Sequence, residues 1–323
     1  MLAEGVLVFF LAIWYFLESF VKTCVDLFAP LSIRRPKDVT CEIALVTGGG
    51  AGLGRLMAIE LAKLGATVVI WDVNQHGNEE TARIIRELDA GDVLAYTVDV
   101  SKAEQVYAAA DRVRQEVGDV TMLVNNAGVA HYKPVLECSD RLIQKMVDVN
   151  AISHFWLLKT FLPAMKEANH GHIVTIAGTA AYFPIRHMGA YTSSVCAAVG
   201  IHDAIQVDLT FENKTGIKMT LVCPSLIATN MILGRINYGT ASITSPEEAA
   251  RIIIEGVILN KRMVCVPKRV LIYTVMKSLI PVKFLVRMLR FRKIEDPLIN
   301  KHGVRYDVTD DEESDKNDDF ENL

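Results

Sequence analysis

From Cys41 onward, short β-branched and apolar runs alternate with stretches whose apolar residues recur at helical spacing. The runs are CEIALVT, ATVVIW, DVLAYTV, DVTMLVN, HIVTIA and IKMTLVC, and the gaps between them leave room for a helix each time. Residues 75–88 and 102–117 carry apolar positions at helical spacing with charges between, as helices covering a sheet should. This rhythm predicts an α/β fold built on a doubly wound parallel sheet. No repeat of solenoid length interrupts it. No second domain begins before about residue 261, because the alternation continues through residues 217–223 and 246–259.

The two ends depart from the rhythm. Residues 6–17 (VLVFFLAIWYFL) are an uninterrupted apolar run of twelve, and with Glu18 and Lys22 tolerated the apolar character extends to about residue 31. A membrane anchor over residues 1–31 is expected, followed by a basic linker over 32–40 that contains Arg34, Arg35 and Lys37. The start Met-Leu-Ala-Glu lacks the positive region of a signal peptide. Basic residues on the C-terminal side of the anchor direct the main domain to the cytosol. Twelve residues are short for a bilayer core of about 30 Å, so a tilted span and a monotopic or hairpin anchor both fit.

Charge refines the C-terminal end. The chain carries 34 Lys+Arg against 38 Asp+Glu, a formal charge of -4, and 51% of its residues are hydrophobic, which excludes a disordered or collagen-like protein. Nine of the acids lie between Asp307 and Glu321, so the body is mildly basic and residues 307–323 form an acidic tail expected to be disordered. Residues 261–293 hold ten basic residues and no acid, interleaved with VLIYTVM, SLIPV and FLVRML. A strand (MVCVP) and a solvated basic helix would account for this; so would a surface lying on anionic lipid headgroups, which the N-terminal anchor favours. The domain is therefore set at 41–270 and a basic, membrane-proximal extension at 271–306. Nucleic acid is not expected as a partner, because no aromatic interleaving or recognition motif accompanies the charge. The six cysteines are far apart without a C-x-x-C pair, which reads as reduced thiols and no zinc site. His131, His154, His170, His172 and His202 show no metal-ligand spacing, and the sequon Asn213-Lys214-Thr215 would matter only in a lumenal domain.

Chemistry enters after the first strand. EIALVT runs into Thr47-Gly48-Gly49-Gly50-Ala51-Gly52-Leu53-Gly54 and then the helical RLMAIELAKLG. Glycines at such a turn permit positive φ and let backbone N–H groups approach a pyrophosphate at a helix N-terminus. Asp72 ends the next strand, VVIWD, where a carboxylate can bond both ribose hydroxyls of an adenosine and repel a 2'-phosphate, which favours NAD over NADP. The spacing TG-x-x-x-G-x-G, followed by Asn125-Asn126-Ala127-Gly128 after the fourth strand, resembles the short-chain dehydrogenases/reductases over residues 40–270. The strings WDVN with NEET, EVGDV, FLPAM, NHGHIVTIA and KSLIP look like the membrane-associated branch of retinol and 17β-hydroxysteroid dehydrogenases.

The resemblance implies a single Rossmann-type domain of about seven parallel strands. It places Gly48, Gly52, Leu53, Gly54, Asp72, Asp99, Val100, Asn126, Ala127 and Gly128 on the cofactor, with Tyr191 and the segment Pro224 to Thr229 near the nicotinamide. Ser225 stands where many members have glycine. It also implies a retinoid or steroid ligand, a lid over residues 227–245, and a homodimer formed by helices near 140–168 and 190–212 at the endoplasmic reticulum or lipid-droplet membrane.

In that family an Asn, a Ser, a Tyr and a Lys act together: Tyr exchanges the proton, Ser holds the substrate oxygen, Lys lowers the Tyr pKa and holds the nicotinamide ribose, and Asn organises a water relay. Asn150 in DVNAISHFW and Tyr191 in GAYTSSVCAAVG match. Gly178 and Val195 occupy the Ser and Lys positions. An unperturbed Tyr titrates near 10, so at neutral pH only about one molecule in a thousand is phenolate, and Val195 supplies no field to change that. Deleting a comparable oxyanion donor lowers rates by roughly 10² to 10³. Thr179, if extended, faces away, Ser193 and Ser194 lie on other helix faces, and Arg186 or His187 would have to reach in from a loop. The expectation is a catalytically impaired or inactive relative whose NAD affinity is weakened at Val195; the alternative is an active NAD-dependent oxidoreductase of lipophilic alcohols with displaced groups.

Overall fold

The computed structural model describes residues 6, 9–15, 17–18, 20–21, 35–229, 231, 242–271, 274 and 280–291. The acidic tail, most of the anchor-to-linker junction, and much of the predicted lid and extension lie outside them.

Each β-branched run of the sequence forms a strand: β1 (Ile43–Thr47), β2 (Thr67–Asp72), β3 (Val93–Thr97), β4 (Met122–Asn125), β5 (Gly171–Ile176), β6 (Ile217–Pro224) and β7 (Met263–Val266). The helices between them are α1 (Gly52–Lys63), α2 (Gln75–Glu87), α3 (Ala103–Glu116), α4 (Asp140–Val147), α5 (Ser153–Ala168), α6 (Gly189–Phe211) and α7 (Pro246–Ile258), with α8 (Val282–Phe291) beyond the last strand. The strands pair in parallel in the order β3-β2-β1-β4-β5-β6-β7.

Parallel strands are covered on both faces, which is why their centres read as continuous apolar runs rather than as an alternation. Val46, Ile70 and Val124 pack on one face against Met57 and Leu61 of α1, Ile85 of α2 and Ile253 of α7. Leu45, Val69 and Leu123 pack on the other against Val106 and Val113 of α3 and Leu157 and Phe161 of α5. Trp71 is fully buried there, its ring centroid 5.7 Å from that of Phe161. From β1 the chain winds outward through β2 and β3, then restarts at β4 on the opposite side. The crevice at the carboxyl ends of β1 and β4 is the topological switch point, where folds of this kind bind ligands.

Outside the sheet, residues 9–15 are helical and expose Phe9, Phe10, Trp14 and Tyr15. Among the described residues no helix is long and apolar enough to cross a membrane. Helix α8 buries none of its residues and exposes Val282, Phe284, Val286 and Phe291.

Candidate functional site

A cavity of about 590 Å³ opens at the switch point. Its first wall is the β1–α1 turn. Gly48 has φ +66°, and a Cβ at Gly54 would stand 2.0 Å from the Gly48 carbonyl oxygen, so the turn closes only with glycine at both positions. No side chain caps α1 at Ala51, which leaves its first-turn N–H groups for a ligand, and an anionic group is what a helix N-terminus favours. These are the features a pyrophosphate needs.

The turn is held from both sides. Thr47 Oγ1 accepts the N–H groups of Asn126 and Ala127, each at 3.0 Å, while Asn126 Nδ2 donates to the Thr47 carbonyl at 2.9 Å. Arg55 donates to the Gly50 carbonyl and, from Nε, to Thr81 Oγ1 at 2.9 Å, joining the turn to α2. The Asp72 carboxylate accepts from Gly50 N and Asn74 N at 3.0 Å each, which fixes it at the cavity wall at the end of β2. A fixed carboxylate with further lone pairs suits a ribose diol. Arg55 was not legible as a site residue; the Gly-x-Gly-Arg string alone does not say what the guanidinium will hold.

Opposite stands Tyr191, near the start of α6, with Gly178 and Val195 beside it in the same wall. A Cβ at Gly178 would lie 3.4 Å from the Tyr191 hydroxyl and 3.9 Å from the Pro224 carbonyl oxygen, ordinary contact distances, so the missing side chain leaves space that a larger residue could fill. Val195 is 4% exposed and packs with Ala180 and Ala181. Among the described residues the Tyr191 hydroxyl has no hydrogen-bond partner. Burial pushes its pKa up to about 12, the direction opposite to the one proton abstraction requires.

Asn150 sits in a π-turn, Asp148–Ile152, between α4 and α5. Its Oδ1 accepts from Val129 N at 2.8 Å, and its Nδ2 donates to Val129 O at 2.8 Å and Ser194 Oγ at 2.9 Å. Ser194 Oγ in turn donates to the Tyr191 carbonyl at 2.8 Å. Both amide hydrogens are thereby used in clamping α6 and the loop after β4, and Asn150 has no donor left for a relay water. The π-turn that aims it was not legible, because an inserted residue in a helix leaves no periodicity signature over so short a stretch.

The cavity thus gathers Gly48, Gly52, Leu53, Gly54, Asp72, Asn126, Ala127, Gly128, Asn150, Gly178, Tyr191, Val195, Pro224 and Thr229. Asp99 and Val100 are not in its wall; Asp99 Oδ1 accepts from Ser101 N at 2.9 Å and Ser101 Oγ at 2.7 Å, holding the turn before α3. Tyr132, Ile185, Met188 and Leu226 supply an apolar side to the cavity, and Ser225 and Thr179 bring hydroxyl-bearing residues to it. Among the described residues no group of three or more His, Cys, Asp or Glu side chains could hold a metal ion.

Known proteins are similar to this chain. The chain is 41% identical to estradiol 17-beta-dehydrogenase 11 of Pongo abelii, over 85% of this chain and 88% of that one. It is 40% identical to retinol dehydrogenase 10 of Xenopus tropicalis, over 89% and 91%. Its fold matches a 7 alpha-hydroxysteroid dehydrogenase complexed with NADH and 7-oxo glycochenodeoxycholic acid, with a TM-score of 0.64 and 26% identity over 69% of this chain and 92% of that one. The short chain dehydrogenase family profile matches residues 42–235, and this chain belongs to that family.

Proposed function

We propose that this protein is a membrane-associated relative of the retinol and hydroxysteroid dehydrogenases that binds NAD(H) and a lipophilic retinoid or steroid, while its dehydrogenase turnover is impaired or lost. One observation carries the reading: Tyr191 stands beside Gly178 and Val195, which offer neither a second donor nor a cation. Bound NAD would supply the hydride acceptor for an alcohol. The alcohol's proton must still reach a base, and with a pKa near 12 only about one Tyr191 in 10⁵ is phenolate at pH 7.

Preference for NAD over NADP rests on Asp72, whose fixed charge opposes a 2'-phosphate, and on Arg55, which is committed to Gly50 and Thr81. Attachment to the cytosolic face of the endoplasmic reticulum or a lipid droplet is supported by the apolar surface of residues 9–15. It is supported too by α8, which places Lys283, Arg287 and Arg290 beside exposed Phe284 and Phe291. A homodimer through α4, α5 and α6 is proposed on family resemblance alone.

The test is NAD-dependent oxidation of all-trans-retinol and estradiol by the full chain in membranes, against the variant carrying Gly178→Ser and Val195→Lys. Turnover confined to the double variant supports the reading. Wild-type turnover at the variant's rate would overturn it.

A further inference from the structure

Two of the cysteines that lie far apart in the sequence meet in the sheet. In the β6–β7 register Cys223 pairs with Cys265, and Leu221 pairs with Met263 two residues before. These four side chains pack in one cluster with Ala177, Val270 and Tyr182, so both thiols point to the same face of the sheet. Hydrogen bonds from Leu221 N to Arg262 O at 2.9 Å and from Ser225 N to Val266 O at 2.8 Å close the ladder on either side, which fixes that register. Both thiols are free and buried, Cys223 fully and Cys265 at 6% exposure.

Paired residues of neighbouring strands stand about 4.8 Å apart, inside the range of about 4.4 to 6.8 Å between the Cα atoms of a disulfide. The thiols are in hydrogen-bonding contact. That bond, and burial after it, raise the pKa of Cys223, which keeps its proton and donates it; the same bond lowers Cys265. Thiolate is the reactive form, so Cys265 is the nucleophile of the pair and Cys223 the resolving thiol. A small oxidant has a route to them, because Ala177 of the cluster and Pro224, the chain neighbour of Cys223, both line the cavity.

We propose that Cys223 and Cys265 are a modification site, at which a peroxide oxidises the two thiols to a reversible cross-strand disulfide. The Cys265 sulfur attacks one peroxide oxygen, the O–O bond breaks and hydroxide leaves. Cys223 then attacks the sulfur of the resulting sulfenic acid, the S–S bond forms, the S–O bond breaks and water leaves. In sum two thiols and hydrogen peroxide give one disulfide and two waters, each sulfur giving up one electron to the peroxide. A thiol reductant reverses the change. The pair also reaches the cavity wall: the Gly178 N–H donates to the Cys223 sulfur, and Gly178 stands beside the Tyr191 hydroxyl. The modification needs neither bound dinucleotide nor turnover, so it stands apart from the proposed function.

The full chain in phospholipid nanodiscs is treated with rising hydrogen peroxide until exposed Cys41 is oxidised; free thiols are then blocked with N-ethylmaleimide in denaturant and the digest is read by mass spectrometry. Peptides carrying Cys223 and Cys265 are expected joined, two hydrogens lighter than their sum, and separate again after dithiothreitol. With dimedone present, Cys223→Ser should leave Cys265 trapped as its sulfenic-acid adduct, whereas Cys265→Ser should leave Cys223 with at least about tenfold less adduct. Should a variant fail to fold, the wild-type peptide map decides alone. Both cysteines recovered as free thiols, either one joined to Cys196 instead, or oxidation to sulfonic acid without linkage would overturn the proposal. Equal adduct in the two variants would overturn the assignment of Cys265 as the nucleophile.

Discussion

At the glycine-turn end of the cavity, the groups that would meet a dinucleotide are braced by neighbours: Thr47, Asn126, Arg55 and Asp72 each make at least two hydrogen bonds that fix the turn. At the Tyr191 end, the hydroxyl has no partner among the described residues and stands beside a glycine and a valine. The backbone under Tyr191 is braced as well, by Asn150 and Ser194. The contrast lies in chemistry, not in rigidity. Binding needs shape and fixed polar groups; proton transfer needs a matched pKa, and on the proposed reading Gly178 and Val195 supply nothing that would set it.

The contrast is broken most severely by rebuilding the poor end. Gly178→Ser with Val195→Lys should raise NAD-dependent retinol oxidation by at least about 10³-fold over wild type, the scale of an oxyanion donor combined with general-base activation. The space at Gly178 accepts a Cβ at 3.4 Å or more from its neighbours, so the serine should enter without strain. Damage to the well-built end comes next. Gly54→Ala drives a methyl to 2.0 Å from the Gly48 carbonyl oxygen and should weaken NADH binding about 100-fold in a fluorescence titration, with circular dichroism checking that the sheet persists.

A smaller effect is expected at Asp72, where Asp72→Ser should shift the NADH-to-NADPH affinity ratio roughly tenfold toward NADPH. The smallest concerns Tyr191 alone. Its phenol should ionise near pH 12 in the folded protein, against about 10 unfolded, read as the difference between ultraviolet pH titrations of wild type and Tyr191→Phe. A raised folded pKa means that this residue's stabilising contribution is complete below pH 10 and falls away as pH rises toward 12. In the Val195→Lys background the ionisation should move to lower pH.

The strands were legible because a parallel sheet buried on both faces demands apolar runs such as ATVVIW and IKMTLVC, and each run became one strand. Glycine spacing likewise announced the turn, since only glycine closes it at Gly48 and Gly54. What sequence could not reveal is long-range. Arg55 reaches Gly50 and Thr81, Asn150 reaches Val129 and Ser194, and Gly178 comes level with Pro224 only through the β5–β6 register. Residues 6–17 announced an apolar segment without announcing what covers it, because twelve residues suit more than one geometry.

The most direct test reads both ends in one sample. The full chain in nanodiscs is titrated with NADH, cofactor fluorescence reporting binding, and the same preparation is then given NAD with retinol while NADH formation is followed. Saturable NADH binding with no NADH formation above a protein-free blank is the predicted result. Retinol-dependent NADH formation abolished by Tyr191→Phe would contradict the account, as would a chain that binds no NADH.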